Sequence, residues 1–272
     1  MKLLLKIRYI GTAYAGWQFQ HNAPTVQGEL TRACRELFGF PCDVTGCSRT
    51  DAGVHALCFC ATVEQKGTDC IDTAIPLDKL PFALNNRLPG DISVTSAEWR
   101  PADFHARYSV RGKTYIYRFL ISRQPDPFEA GRAAFCPRPM PDGYLERMNA
   151  CAAAFVGRHD FTSFMASGSK IVDATRTVAS ASVTAGEDVL TFRVTADGFL
   201  YNMVRIMAGP LLDAAYDKLG PADIGRILDA RNRHLAGPTL PPEGLYLAEV
   251  DYGCPVESGE ESKFLSSHSE KN

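Results

Sequence analysis

The residues best suited to chemistry in this chain lie in one short run, Gly46-Cys47-Ser48-Arg49-Thr50-Asp51-Ala52-Gly53-Val54-His55-Ala56. A single carboxylate, Asp51, sits there among small and hydroxylated residues, between two glycines. Such a composition suits a tight loop whose backbone must approach a ligand closely. Arg49 stands two residues before Asp51, and in an extended chain alternate side chains point the same way. A carboxylate beside a cation can serve as a nucleophile, or assist by acid–base and electrostatic means. The same residues also suit a capped turn in which Asp51 only accepts backbone amides, and the run by itself leaves both readings open. A glycoside hydrolase normally needs two positioned carboxylates, and no second acid occurs in a comparable setting.

The bulk of the chain narrows the setting. Its 272 residues, 45% hydrophobic and 22% charged, have ordinary globular composition. No apolar run reaches the roughly 18 residues of a membrane span. The opening Met1–Ile10 is interrupted by Lys6 and Arg8 after three leucines, so it reads as a strand rather than a signal peptide, and the expected location is the cytoplasm. Nine cysteines, odd in number and without a C-x-x-C pair, read as buried thiols in a reducing compartment. The histidines are scattered singly, so no metal is expected; a cofactor is not expected either. Net charge is −2, yet Arg100, Arg107, Arg111, Lys113, Arg118 and Arg123 face one acid, Asp103, over the segment they span. A basic stripe on a near-neutral protein can attract phosphates, although it also suits a solvated face.

Elements able to position Asp51 follow from periodicity. Leu3, Leu5, Ile7 and Tyr9 alternate in a strand. Thr25 can cap a helix with the apolar face Val26, Leu30, Ala33 and Leu37. A strand near 57–63, a helix near 76–86 and a strand near 91–98 follow, the last set off by the turn Pro89-Gly90-Asp91. Then come a strand at 114–121 with Tyr115, Tyr117, Phe119 and Ile121 on one side, and a helix at 143–156 closed by Gly157. Two more strands precede a helix near 200–218 with a kink at Gly209-Pro210; Pro221 opens another helix, and 244–251 forms the last strand. This order predicts an α+β fold: two ferredoxin/RRM-like α+β halves joined into one extended, mainly antiparallel sheet, with helices on one face and the active-site cleft between the halves. The divisions are 1–105, carrying the Asp51 loop, 106–252, and a polar, disordered tail at 253–272.

The run around Asp51 resembles the hallmark of the tRNA pseudouridine synthase A family, Arg49-Thr50-Asp51-Ala52-Gly53-Val54-His55. The resemblance extends in order along the chain: Tyr9 to Gln18, Val26-Gln27, Leu88-Pro89-Gly90-Asp91-Ile92, Asp103-Phe104-His105-Ala106-Arg107, Lys113-Thr114-Tyr115-Ile116-Tyr117, Asp160-Phe161-Thr162-Ser163-Phe164, Met203-Val204-Arg205 and Glu243-Gly244-Leu245-Tyr246. It implies an isomerase that converts uridine to pseudouridine at positions 38–40 of the tRNA anticodon stem-loop, acting as a homodimer. It also implies roles. Asp51 matches the catalytic aspartate, and Arg49 the arginine that displaces the target base. Tyr115 matches the tyrosine packed against the uracil, Arg205 the arginine paired with the carboxylate, and Leu245 an apolar residue lining the pocket.

Physical reasoning supports these assignments residue by residue. Isomerisation breaks C1′–N1 and makes C1′–C5 without net redox change, so no coenzyme is required. A cation such as Arg205 keeps Asp51 ionised against desolvation, and the apolar neighbours Met203, Val204, Ile206 and Met207 make an unpaired charge there costly. Tyr115 offers a flipped base a ring to stack on and a hydroxyl that can help remove the C5 proton. Arg107, Arg111 and Lys113 are placed to meet phosphates near the site. His55 and Tyr117 read as structural. A non-catalytic RNA-binding protein of the same fold would keep the basic stripe and could discard Asp51.

Overall fold

The structure is a computed structural model that describes residues 1–169 and 171–253. Strands β1 (Lys2–Tyr9), β2 (Cys42–Gly46), β3 (His55–Gln65) and β4 (Ile92–Arg100) come from the first part of the chain. Strands β5 (Gly112–Ile121), β6 (Ala134–Cys136), β7 (Gly157–Asp160), β8 (Thr175–Ala185), β9 (Val189–Ala196) and β10 (Leu245–Asp251) come from the second. All ten form one sheet in the order β4-β1-β3-β10-β5-β9-β8-β7, with β2 on β3 and β6 on β5. Two pairings, β3–β10 and β5–β6, are parallel and the rest antiparallel. The expected α+β architecture is therefore present, and its seam is the short parallel register Tyr246↔His55 and Leu247↔Ala56.

Alternation decides which face is covered. Leu3, Leu5 and Ile7 pair with Val63, Ala61 and Phe59, while Tyr117 and Phe119 pair with Phe192 and Leu190, and all are buried. The opposite side of β5, β9 and β10 carries Thr114, Thr195, Arg193 and Glu249. Helices α1 (Val26–Phe38), α2 (Leu80–Asn85), α3 (Tyr144–Ala153), α4 (Met203–Ala215) and α5 (Pro221–Ala230) bury their apolar residues in the core that includes the first set. Thr25 caps α1 by accepting from the Gly28 N–H at 3.2 Å, and Pro221 opens α5, where the Asp223 carboxylate accepts from the Gly220 N–H at 2.7 Å. No helix among the described residues is long and apolar enough to cross a membrane.

Several expected boundaries shift for local reasons. The helix expected at 76–86 shortens to Leu80–Asn85, since Pro76 and Pro81 suit only its entry. The helix α3 ends at Ala153 rather than at Gly157, which opens β7 at φ +117°. The helix expected from 200 begins at Met203 because Asn202 is left-handed (φ 59°), and α4 runs through Pro210 as one helix. The short strands β6 and β7 lack the length for a readable alternation. The expected disordered tail lies, from Cys254 onward, outside the described residues.

Candidate active site

The Asp51 loop joins β2 to β3 and is fastened at nearly every residue. Gly46 is required where it stands: a Cβ would come within 2.6 Å of the Trp17 indole and 2.8 Å of Phe59. The Cys47 N–H donates to Cys60 O at 2.8 Å, and the Trp17 N–H to Thr50 O at 3.0 Å. Thr50 Oγ1 meets the buried Tyr9 hydroxyl at 2.7 Å. Val54 N–H closes the turn on Asp51 O at 3.1 Å, around Gly53 in the left-handed region at φ +78°. His55, fully buried, accepts the Gly11 N–H at Nδ1 (2.9 Å), so its proton sits on Nε2, 3.1 Å from Glu243 O. Burial pushes the His55 pKa down to about 4. The histidine is thus a structural clamp that ties the loop to the segment leading into β10.

Across the seam stands Arg205, in the first turn of α4. Its Nε donates to Leu240 O at 2.7 Å and its Nη1 to Asn202 Oδ1 at 2.8 Å. That anchoring leaves Nη1 3.8 Å from Asp51 Oδ2. The pair is an ion pair without a tight hydrogen bond, so the carboxylate stays available to a substrate. Burial raises the Asp51 pKa and Arg205 opposes the rise without cancelling it. Arg49 makes no ion pair with Asp51; it is exposed and borders the same cavity.

A cavity of about 410 Å³ opens between these elements, lined by Asp51, Arg49, Tyr115, Lys113, Phe199 and Leu245 among others. The Tyr115 hydroxyl lies 3.2 Å from Ser48 Oγ, and its ring meets Phe199 edge-on at 4.9 Å. Burial foremost, with the nearby Asp51 charge, lifts the Tyr115 pKa far above its ordinary value. The hydroxyl therefore keeps its proton in the free protein, and either oxygen of the Tyr115–Ser48 pair can be the donor.

The family described as tRNA pseudouridine synthase matches residues 6–109 and 151–253. This chain belongs to that tRNA pseudouridine synthase family. It is similar to proteins named tRNA pseudouridine synthase A from Caldicellulosiruptor bescii (41% identity over 250 residues, 92% of this chain and 99% of the relative) and Acetivibrio thermocellus (40% over 248, 91% and 98%). A third from Halalkalibacterium halodurans shares 41% over 245 residues, 89% of each chain.

The structure gathers most of the residues singled out for a synthase site. Asp51, Arg49, Tyr115, Leu245, Arg107 and Lys113 all border the cavity, and Arg205 touches Asp51 from behind. Arg111 does not border it; just before the start of β5, it packs its guanidinium against Gly253. Within the basic segment, Arg118 and Arg100 are engaged by Glu129 and Glu98. Lys113 is buried enough that its pKa falls. Sequence reasoning missed Ser48, Phe199 and Asn202. Ser48 stood in the motif as one more small residue, Asn202 was absorbed into a helix that starts later than expected, and Phe199 fell between the expected strand and that helix.

Proposed function

We propose that this chain isomerises uridine to pseudouridine at positions 38–40 of the tRNA anticodon stem-loop, acting on a flipped-out base with Asp51 as the catalytic carboxylate. The reading is carried by the placement of one half-buried carboxylate 3.8 Å from an anchored guanidinium, at the wall of a cavity of about 410 Å³. The reaction breaks C1′–N1, turns the uracil, forms C1′–C5, releases the C5 proton and returns a proton to N1. Asp51 is held by Arg205 as an anion able to add to the nucleoside or to assist by charge. Tyr115 and Leu245 present apolar surface to the uracil, and stacking of this kind, worth about 1–3 kcal/mol per base, offsets part of the few kcal/mol that eversion costs. Arg49, unpaired with Asp51, is free to fill the space the base vacates. The reading includes a homodimer in the cytoplasm and phosphate contacts from Arg107, Arg111 and Lys113.

The test is release of tritium from uracil C5 of labelled tRNA by the purified chain, with Asp51→Asn as control. Wild-type release with none from the variant supports the reading. Release by both proteins, or by neither, refutes it.

A further inference from the structure

Beside the Asp51 cavity lies a second one of about 260 Å³, below the roughly 300–1,000 Å³ of pockets that take drug-sized ligands. Ser48, Arg49 and Arg107 border both cavities and so form the partition between them. Neither arginine has a carboxylate partner within ion-pair distance among the described residues. The far wall is aromatic. Tyr108 is 77% exposed, and its ring lies 4.3 Å from the His105 imidazole, centroid to centroid. The Arg107 guanidinium lies over the Tyr108 ring, 5.9 Å from its centroid, and an exposed aromatic side chain beside two guanidiniums without carboxylate partners is the usual makeup of a single-stranded nucleic-acid platform.

The platform is built rather than incidental. Its loop is fastened from beneath: the Tyr252 hydroxyl donates to Ala106 O at 2.7 Å, Phe104 packs on Tyr252, and Ala106 is buried. Ser109 closes the turn, its Oγ accepting from the His105 N–H at 3.1 Å and its N–H donating to His105 O at 3.0 Å. His105 Nδ1 accepts the N–H groups of Arg107 (3.0 Å) and Tyr108 (3.3 Å), which puts the imidazole proton on Nε2. Opposite, the Gln18 amide nitrogen is spent on Gln27 Oε1 at 2.9 Å, which orients Gln18 with its carbonyl oxygen uncommitted. The pocket therefore offers an aromatic surface, one donor, one acceptor and a cationic partition.

We infer that this second pocket holds the RNA nucleotide adjoining the target uridine, its base against Tyr108 and His105 and the phosphate between the two nucleotides at Arg49 and Arg107. The inference rests on the proposed RNA substrate and extends it to a second subsite. Two neighbouring nucleotides are joined by one phosphate, and the shared arginine wall is where that phosphate falls when each base enters its own cavity.

The test is a coupling measurement on an anticodon-arm hairpin with one uridine at position 39. Binding is measured for wild type, Tyr108→Ala and Tyr108→Phe, with the hairpin intact or made abasic at each neighbour of the uridine in turn. Pseudouridine formation by wild type is scored separately. Tyr108→Ala should weaken binding of the intact hairpin roughly 5- to 150-fold, while Tyr108→Phe binds as wild type. One of the abasic hairpins should bind wild type and Tyr108→Ala alike, and 2-aminopurine at that nucleotide should be quenched by wild type only. Equal weakening of intact and abasic hairpins, or no weakening at all, overturns the inference whether or not product forms. Coupling without product keeps the RNA subsite and refutes the isomerase reading instead.

Discussion

The two walls of the Asp51 cavity are made in different ways. The first, residues 46–55, is one contiguous segment held through its backbone: the Cys47 and Val54 amides and the Thr50 and Asp51 carbonyls have protein backbone partners. The second is assembled from segments far apart in sequence, the turn before α4, the stretch around Leu240 and the start of β10, joined through side chains of Arg205, Asn202 and Leu245. Backbone fastening fixes where a carboxylate sits. Side-chain assembly fixes its charge state and the shape of what it meets. Substitutions on the first wall should therefore act on whether chemistry occurs, and those on the second on when and how fast.

The sharpest break is Asp51→Asn, which keeps the loop's backbone bonds and removes the anion. Turnover should fall on the order of 10⁴-fold or more, the scale seen when an essential member of a catalytic unit is lost. Stability should move the other way. Burial raises the Asp51 pKa, so the folded chain binds that proton more tightly than the unfolded one does. Ionised Asp51 thus weakens the fold at neutral pH, and that penalty fades as pH falls through its raised pKa. The variant should melt no lower than wild type at pH 7, with any gain vanishing at low pH. A lower melting temperature would show that Asp51 serves the loop rather than a substrate.

The same contrast governs what the sequence revealed. Asp51, Arg49 and the turn glycines were legible because a contiguous loop writes its requirements into adjacent residues: Gly46 for close packing on Trp17, Gly53 for a left-handed turn. Leucine and tyrosine alternation exposed the long strands, whose buried face is continuous across the seam. The second wall was legible only through the family resemblance. Nothing local marks Asn202 as left-handed, and the mostly apolar stretch from Leu200 to Met207 gives no sign that the helix starts only at Met203. The basic segment misled in part, since charge counted along a strand says nothing of direction. Lys113 enters the cavity, Arg118 is consumed by Glu129, and Arg111, just before β5, turns to Gly253 instead of bordering the cavity.

Arg205→Met probes the second wall directly. Removing a charge aimed at the reacting centre should lower kcat/KM by about 10²–10³-fold. Its signature lies in the pH profile. Arg205 opposes the desolvation of Asp51, so without it the Asp51 pKa rises further and the acid limb of kcat/KM moves to higher pH. An unshifted limb would mean that Arg205 holds α4 to Leu240 and does nothing for the carboxylate.

His55 joins the two walls, and its loss should appear as stability. Its folded pKa of about 4 lies below the ordinary value of 6.5. The neutral, doubly bonded ring favours the fold above pH 6.5, and that contribution is lost as pH falls toward 4. The change is on the order of 3 kcal/mol. Urea unfolding of wild type and His55→Gln at pH 7 and pH 4.5 isolates it. The variant should be less stable at pH 7 and converge toward wild type at pH 4.5; parallel curves would contradict the clamp.

The smallest effect should come from Tyr115→Phe, which touches both walls at once. The ring, its edge-on contact with Phe199 and its surface for uracil all survive, and only the hydroxyl beside Ser48 is lost. Because burial keeps that hydroxyl protonated in the free protein, its removal is expected to delete one hydrogen bond with Ser48 and to leave the charge of the cavity unchanged. One neutral hydrogen bond is worth about 0.5–1.5 kcal/mol, so turnover should drop several-fold with no change in the shape of the pH profile. Tyr115→Ala, which removes the stacking surface as well, should lose substantially more. A Phe variant as crippled as the Ala variant, or one with an altered basic limb, would move Tyr115 from the wall that shapes the cavity to the chemistry itself.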